Sequence, residues 1–199
     1  MEVYHVKHRS LLFILAGFVL ALGLGWVVFP AVLYERIDQP VQFSHAVHAG
    51  ETVGMGCEDC HAILEDGTFT GIPKLEKCAT CHQEEVGTSA EEKNFVENYV
   101  KKNREVPWLV YSRQPENTYF SHIQHVKEAG LACERCHGPH GKSSELAPYY
   151  ENRVSGYSRA VWGSSISGIK TNDWDGMKMA DCIHCHTDNN RLACIDCHK

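Results

Sequence analysis

One five-residue phrase, Cys-x-x-Cys-His, occurs five times in this chain and decides what the chain can become. It stands at Cys57–His61, Cys78–His82, Cys133–His137, Cys182–His186 and Cys194–His198, and it uses all ten cysteines. Two thiols one helical turn apart can add to the two vinyl groups of one haem, and the histidine that follows then reaches the iron. Zinc half-sites or five disulfides would also use paired cysteines. Neither explains a histidine after every pair. With 13 histidines in 199 residues, five of five by chance is on the order of one in a million, so the attachment reading holds. The expectation is five covalent c-type haems, carried on Cys57, Cys60, Cys78, Cys81, Cys133, Cys136, Cys182, Cys185, Cys194 and Cys197.

The totals limit the fold. From Tyr34 onward 166 residues serve five motifs, about 33 each, too few to build a conventional side-chain core as well. The predicted architecture is mostly irregular, with short α-helices wrapped round stacked haems and little or no β-structure. The formal charge is −6, and haem propionates would add to it. That balance argues against nucleic acid and for a basic electron carrier as partner.

The N-terminus carries the second constraint. Residues 1–10 hold Lys7 and Arg9, and residues 11–34 follow with no charge. About 20 apolar residues cross the hydrocarbon core, so 11–34 reads as one transmembrane anchor. A cleaved signal peptide would have a shorter apolar run, about 7–15 residues, and a small-x-small cleavage site. Lys7 and Arg9 place the N-terminus in the cytoplasm and residues 35–199 in the periplasm, where c-type haem is attached. Pro30 is expected to disturb the last turn of the span.

Beyond the anchor the chain repeats itself. Phe43-Ser44-His45-Ala46-Val47-His48 precedes the first haem motif, and Phe120-Ser121-His122-Ile123-Gln124-His125 precedes the third. Histidines at i and i+3 share a helix face but diverge, so each pair can serve two irons. The repeat divides the periplasmic part into a two-haem module (35–88), a connector (89–118) and a three-haem module (119–199). The loop 62–77 reads as an irregular turn. Ser89-Ala90-Glu91-Glu92 reads as a capping box opening a helix to about Arg104, with Phe95, Val96, Tyr99 and Val100 as its apolar face. We expect this connector to pack without chemistry of its own. Residues 143–180 lack a haem motif and carry Tyr149, Tyr150, Tyr157, Trp162 and Trp174, which read equally as haem covers or subunit contacts. Only seven residues separate His186 from Cys194, a reach of at most roughly 28 Å, so the last two haems must be neighbours.

Counting histidines gives the ligation. The proximal ligands are His61, His82, His137, His186 and His198. Outside the anchor region His45, His48, His122, His125, His140 and His184 remain. The simplest distal set is His45, His48, His122, His125 and, in the contested seat, His140; His184, Met177 and Met179 are the other contenders. Two imidazoles per iron leave no open seat for a substrate and favour electron relay. No catalytic residue is expected.

Two stretches carry a resemblance. Val106-Pro107-Trp108…Phe120-Ser121-His122-x-x-His125…Cys133-x-x-Cys136-His137-Gly138 resembles the class III multihaem cytochromes c. The tail Asp181-Cys182…Asn189-Asn190…Cys194-Ile195-Asp196-Cys197-His198-Lys199 resembles the last haem pair of respiratory cytochrome subunits. With the single anchor, the chain is similar to the multihaem cytochrome c subunits of menaquinone reductase complexes of sulfate-reducing bacteria, and to the related pentahaem subunit of alternative complex III. The resemblance implies an electron-transfer subunit rather than a catalytic one by itself. It also implies partners: an integral quinone-binding membrane subunit, an iron–sulfur subunit and a molybdopterin-family-like subunit. Electrons would come from a soluble periplasmic tetrahaem cytochrome c and leave towards menaquinone, in sulfate respiration. A sixth haem, also implied, has no thiols here and would be non-covalent. The competing reading is a quinol dehydrogenase feeding a periplasmic reductase, whose anchored cytochrome oxidises quinol itself.

Overall fold

The computed structural model describes residues 2–110, 117–154, 177, 179–191 and 193–198. The aromatic residues Tyr157, Trp162 and Trp174 lie outside the described residues. A long N-terminal helix leads the chain: α1 (Glu2–Gly23), a wide π-turn (Leu24–Val28) and α2 (Phe29–Leu33). It begins nine residues ahead of the apolar run, because nothing between Glu2 and Ser10 breaks a helix. By length and composition Arg9–Leu33 is able to cross a membrane. Its large apolar side chains, among them Phe13, Phe18 and Trp26, face outward with no protein against them. Proline has no amide hydrogen and its ring crowds the carbonyl four residues back. The π-turn ends at Val28, two residues before Pro30.

At the C-terminal end of this helix the backbone turns into β1 (Tyr34–Ile37), which pairs antiparallel with β2 (Tyr149–Asn152). Tyr34 faces Asn152 and Ile37 faces Tyr149 across the ladder. A strand from late in the chain is thereby fastened next to the end of the helix. Short helices follow: α3 (His45–Ala49), α4 (Cys57–Cys60), α5 (Leu75–Ala79) and α6 (Ala90–Phe95). Later come α7 (Glu134–His137), α8 (Met179–Asp188) and α9 (Cys194–Cys197). Among the described residues the helices beyond the N-terminal one are at most ten residues long, and β1 with β2 is the one sheet.

The side-chain core is small, as the chain length requires. Val41, Leu75, Phe95, Val96, Tyr99 and Val106 are its buried residues, with Cys78, Val100 and Trp108 packed against them. The connector helix supplies half of it. Ser89 caps α6 by accepting from the Glu92 amide at 3.0 Å. After Phe95 the helix widens into a π-turn over Val96–Val100, which keeps Phe95, Val96 and Tyr99 facing the core. The predicted helix to Arg104 therefore ends at Val100, and Asn103 leaves it with a positive φ of 44°. Only half of the expected capping box forms, since the Glu92 carboxylate is engaged elsewhere.

Candidate functional site

The two Phe-Ser-His-x-x-His repeats fold into near copies. Ser44 caps α3 by accepting from the Val47 amide at 3.3 Å, and Ser121 accepts from the Gln124 amide at 3.5 Å. Phe43 stacks on His48 (4.3 Å, 24°) and meets His45 edge-on (4.9 Å, 85°). Phe120 does the same with His125 (4.6 Å, 22°) and His122 (4.8 Å, 87°). One phenyl ring thus sets the orientation of two imidazoles. In each repeat the second histidine donates Nδ1–H to the serine carbonyl, His48 to Ser44 at 2.9 Å and His125 to Ser121 at 2.8 Å. That leaves Nε2 as the free acceptor.

Three pairs of predicted ligands face each other. His48 and His82 have ring centres 6.0 Å apart, His122 and His137 6.4 Å, and His125 and His186 6.1 Å. A metal–imidazole bond of about 2.0–2.1 Å, plus about 1.1 Å from nitrogen to ring centre, puts two imidazoles on opposite sides of one iron ~6.3 Å apart. All three pairs fit that span, and each joins a repeat histidine to a motif histidine. The i, i+3 divergence is visible in the second repeat, where His122 faces the third motif and His125 the fourth.

Four further Nδ1 atoms are held as well, as a metal-bound imidazole requires for its orientation. His61 donates to the Gly71 carbonyl at 2.7 Å and His186 to the Arg191 carbonyl at 3.3 Å. His82 differs: it donates to the Glu92 carboxylate at 2.8 Å. Ser143 donates its hydroxyl to the His140 carbonyl (2.8 Å) and accepts from His45 Nδ1 (3.3 Å). His45 is half-buried, and burial, then the neighbouring His140, His61 and His48, push its pKa down to about 4. Burial lowers His140 too, with His137 adding to it. His45 therefore lies near both His61 of the first motif and His140 after the third. His184 goes elsewhere: its side chain is 80 % exposed and pairs with Asp188 at 3.0 Å. Met179 is exposed. His198 is placed by its backbone, which bridges to Thr118, while the Cys197 carbonyl accepts from the Tyr119 amide at 2.6 Å.

No disulfide joins any of the ten cysteines, all of which lie among the described residues. Burial raises the Cys78 thiol, and the nearby Cys60 adds to the effect. Cys133 is raised by burial and by Cys57, to which it is hydrogen-bonded. Cys182 is raised by burial and then by Asp181, Cys136 and Cys197. Cys57 thus touches Cys133, Cys60 lies near Cys78, and Cys182 lies near Cys136 and Cys197, an adjacency that runs second, first, third, fourth, fifth motif. Lys127, just after the second repeat, closes the junction of first and third motifs with an exposed ion pair to Glu58 at 2.6 Å.

Two residues here escape a reading of the sequence. Phe69 stacks on His122 at 3.9 Å and lies near-parallel to His61 at 6.4 Å, so it links the first motif to the ring that faces the third. The loop 62–77 is no irregular turn at this point. Ile63 pairs with Phe69, the Leu64 amide donates to the Thr68 carbonyl, and Gly67 turns the chain at φ +85°. An Asp-Gly pair between apolar residues is the hairpin signature that could have revealed it. Glu92 is the other, hidden behind its apparent capping role.

A model of the class III cytochrome C family matches residues 29–109. Over an alignment covering 92 % of this chain and 87 % of the relative, the chain is 38 % identical to the menaquinone reductase multiheme cytochrome c subunit of Nitratidesulfovibrio vulgaris strain Hildenborough. A class III match brings covalent c-type haem with it. With five attachment motifs and facing imidazoles in place, the chain belongs to the family of multihaem cytochrome c subunits of menaquinone reductases.

Proposed function

We propose that this chain is the membrane-anchored, periplasmic electron-transfer subunit of a quinone oxidoreductase complex. It takes electrons from a soluble periplasmic tetrahaem cytochrome c and passes them towards menaquinone. A bound c-type haem supplies a one-electron carrier at its iron. The chain's own residues attach five of these, orient their axial ligands and set their sequence in space.

The observation that carries this reading is the set of three imidazole pairs spaced 6.0–6.4 Å apart. His48 with His82, His122 with His137 and His125 with His186 would each hold one haem iron between them. His45, which lies near His61, would be its distal partner. Filled seats exclude substrate and hold iron geometry nearly constant between oxidation states, which suits relay. The motif order supports one path from the second motif through first, third and fourth to the fifth, with Phe69 linking the first motif to the ring that faces the third. His184, exposed and paired with Asp188, is spare. That favours five haems and leaves little to hold a sixth.

The partners proposed are an integral quinone-binding subunit, an iron–sulfur subunit and a molybdopterin-family-like subunit, reached from an N-terminal helix that spans the cytoplasmic membrane with its start in the cytoplasm. Affinity purification from detergent-solubilised membranes tests this, and a multi-helix subunit should co-purify. A preparation without one, or rapid quinol oxidation by the isolated chain, would favour the quinol dehydrogenase reading.

A further inference from the structure

Among the ligand histidines whose Nδ1 partner is described, His82 alone donates to a carboxylate. His48, His61, His125 and His186 donate to main-chain carbonyls, and His45 to a serine hydroxyl. The Glu92 carboxylate is built into position. Its Oε1 accepts from His82 Nδ1 at 2.8 Å and from the Val86 amide at 2.8 Å, and its Oε2 accepts from the Gly87 amide at 2.7 Å. Its side chain is 12 % exposed, against 23 % for His82. The Phe95 ring stands edge-on to His82 at 6.0 Å and shields the contact from the core side. Two backbone donors and Ser89, which caps the Glu92 amide, fix the carboxylate before any ligand binds.

We propose that Glu92 is a positioning residue that makes the iron held by His82 and His48 harder to reduce than the iron held by His125 and His186. This rests on the ligation proposed above. The two pairs form a natural comparison. In both, the repeat histidine donates to a serine carbonyl; only the motif histidine differs, with a carboxylate partner on His82 and a carbonyl partner on His186. A charged acceptor on Nδ1–H draws the proton outward and leaves Nε2 a stronger donor to the metal. A stronger donor favours ferric over ferrous iron. Reduction adds one electron to the iron, Fe(III) to Fe(II), and moves no proton: His82 keeps Nδ1–H and Glu92 keeps its charge. The second motif stands at one end of the spatial order, so Glu92 sets the driving force at a terminus of the path.

The experiment is a potentiometric titration followed by electron paramagnetic resonance on the purified, fully loaded protein, with the variants His48→Ala, Glu92→Gln and Glu92→Asp. His48→Ala identifies the relevant iron as the one that turns high-spin. Glu92→Gln should leave every iron low-spin and raise the reduction equilibrium of that same iron about tenfold, the lower end of the roughly 10–100-fold that such outer partners typically weigh; for one electron this is about 59 mV. Glu92→Asp keeps the charge and should recover part of the shift. A merely structural role would move several irons or lower the unfolding temperature without a selective change in potential. If His48→Ala converts no iron, the ligation itself is wrong and the inference falls with it. If it converts one iron whose potential Glu92→Gln leaves in place, the ligation stands and the role of Glu92 is refuted.

Discussion

Replacing His125 by alanine tests the twin-ligand geometry most directly. His125 and His186 have ring centres 6.1 Å apart, and His122, three residues earlier, faces His137 at 6.4 Å. Removing the His125 imidazole opens a gap wider than any neighbouring donor can bridge. The other histidine of α8, His184, points to solvent and pairs with Asp188. The Phe120 ring that stacks on His125 at 4.6 Å offers no lone pair. One iron in five should therefore become five-coordinate and high-spin. His122→Ala should open a different one, and the double variant two in five. His184→Ala should change none. The assay is absorbance and paramagnetic resonance of the oxidised protein, with carbon monoxide added after reduction; in wild type the irons of His82, His137 and His186 should not convert. A double variant that opens no more iron than either single one would mean that both histidines serve one site, and a wholly low-spin His125→Ala would refute the pairing.

Three further outcomes follow from the packing. Val96 is the fully buried residue of the small core, at 0 % exposure; Val96→Ala removes two carbon groups at ~0.8 kcal/mol each and leaves a cavity, for a loss of about 2–3 kcal/mol in thermal unfolding. Gly67→Ala forces an L-residue to φ +85° and sets its Cβ 3.4 Å from the Ile123 side chain. It should cost roughly 1–3 kcal/mol by denaturant titration, whereas Gly23→Ala, with nothing within 4 Å, should be nearly neutral. In the haem-free chain His45, with its pKa pushed down to about 4, refuses a proton that the unfolded chain takes up near pH 6.5. Its contribution to stability is complete above pH ~6.5 and is lost as pH falls towards 4. Denaturation midpoints should fall across that window, and a flat profile would count against it.

The haem motifs and both histidine repeats were legible because they are local: the chemistry is set by spacings of one to three residues. Ser89 as an N-cap was legible for the same reason. What stayed hidden depends on distant contacts. Nothing near His125 marks His186, 61 residues on, as the ring it faces. Glu92 read as the partner of Ser89 because a capping box and a carboxylate ligand to His82 use the same residue type at the same place. The pairing of Tyr34–Ile37 with Tyr149–Asn152 was equally invisible. Tyr-Glu-Arg-Ile lacks the apolar alternation of a strand that lies over a core.

That strand pair changes the mechanics of the molecule. A chain leaving a bilayer through a single linker would let its cargo swivel, and only a fraction of its orientations would bring a given haem edge towards a neighbour. Here residues 34–37 are clamped by residues 149–152, and the Leu33 carbonyl also accepts from the Arg153 amide at 2.9 Å. The domain is fastened to the end of the helix at two points instead of one, a bracket in place of a hinge. Where the helix crosses a bilayer, the bracket fixes which flank of the domain lies nearest the lipid surface before any partner arrives.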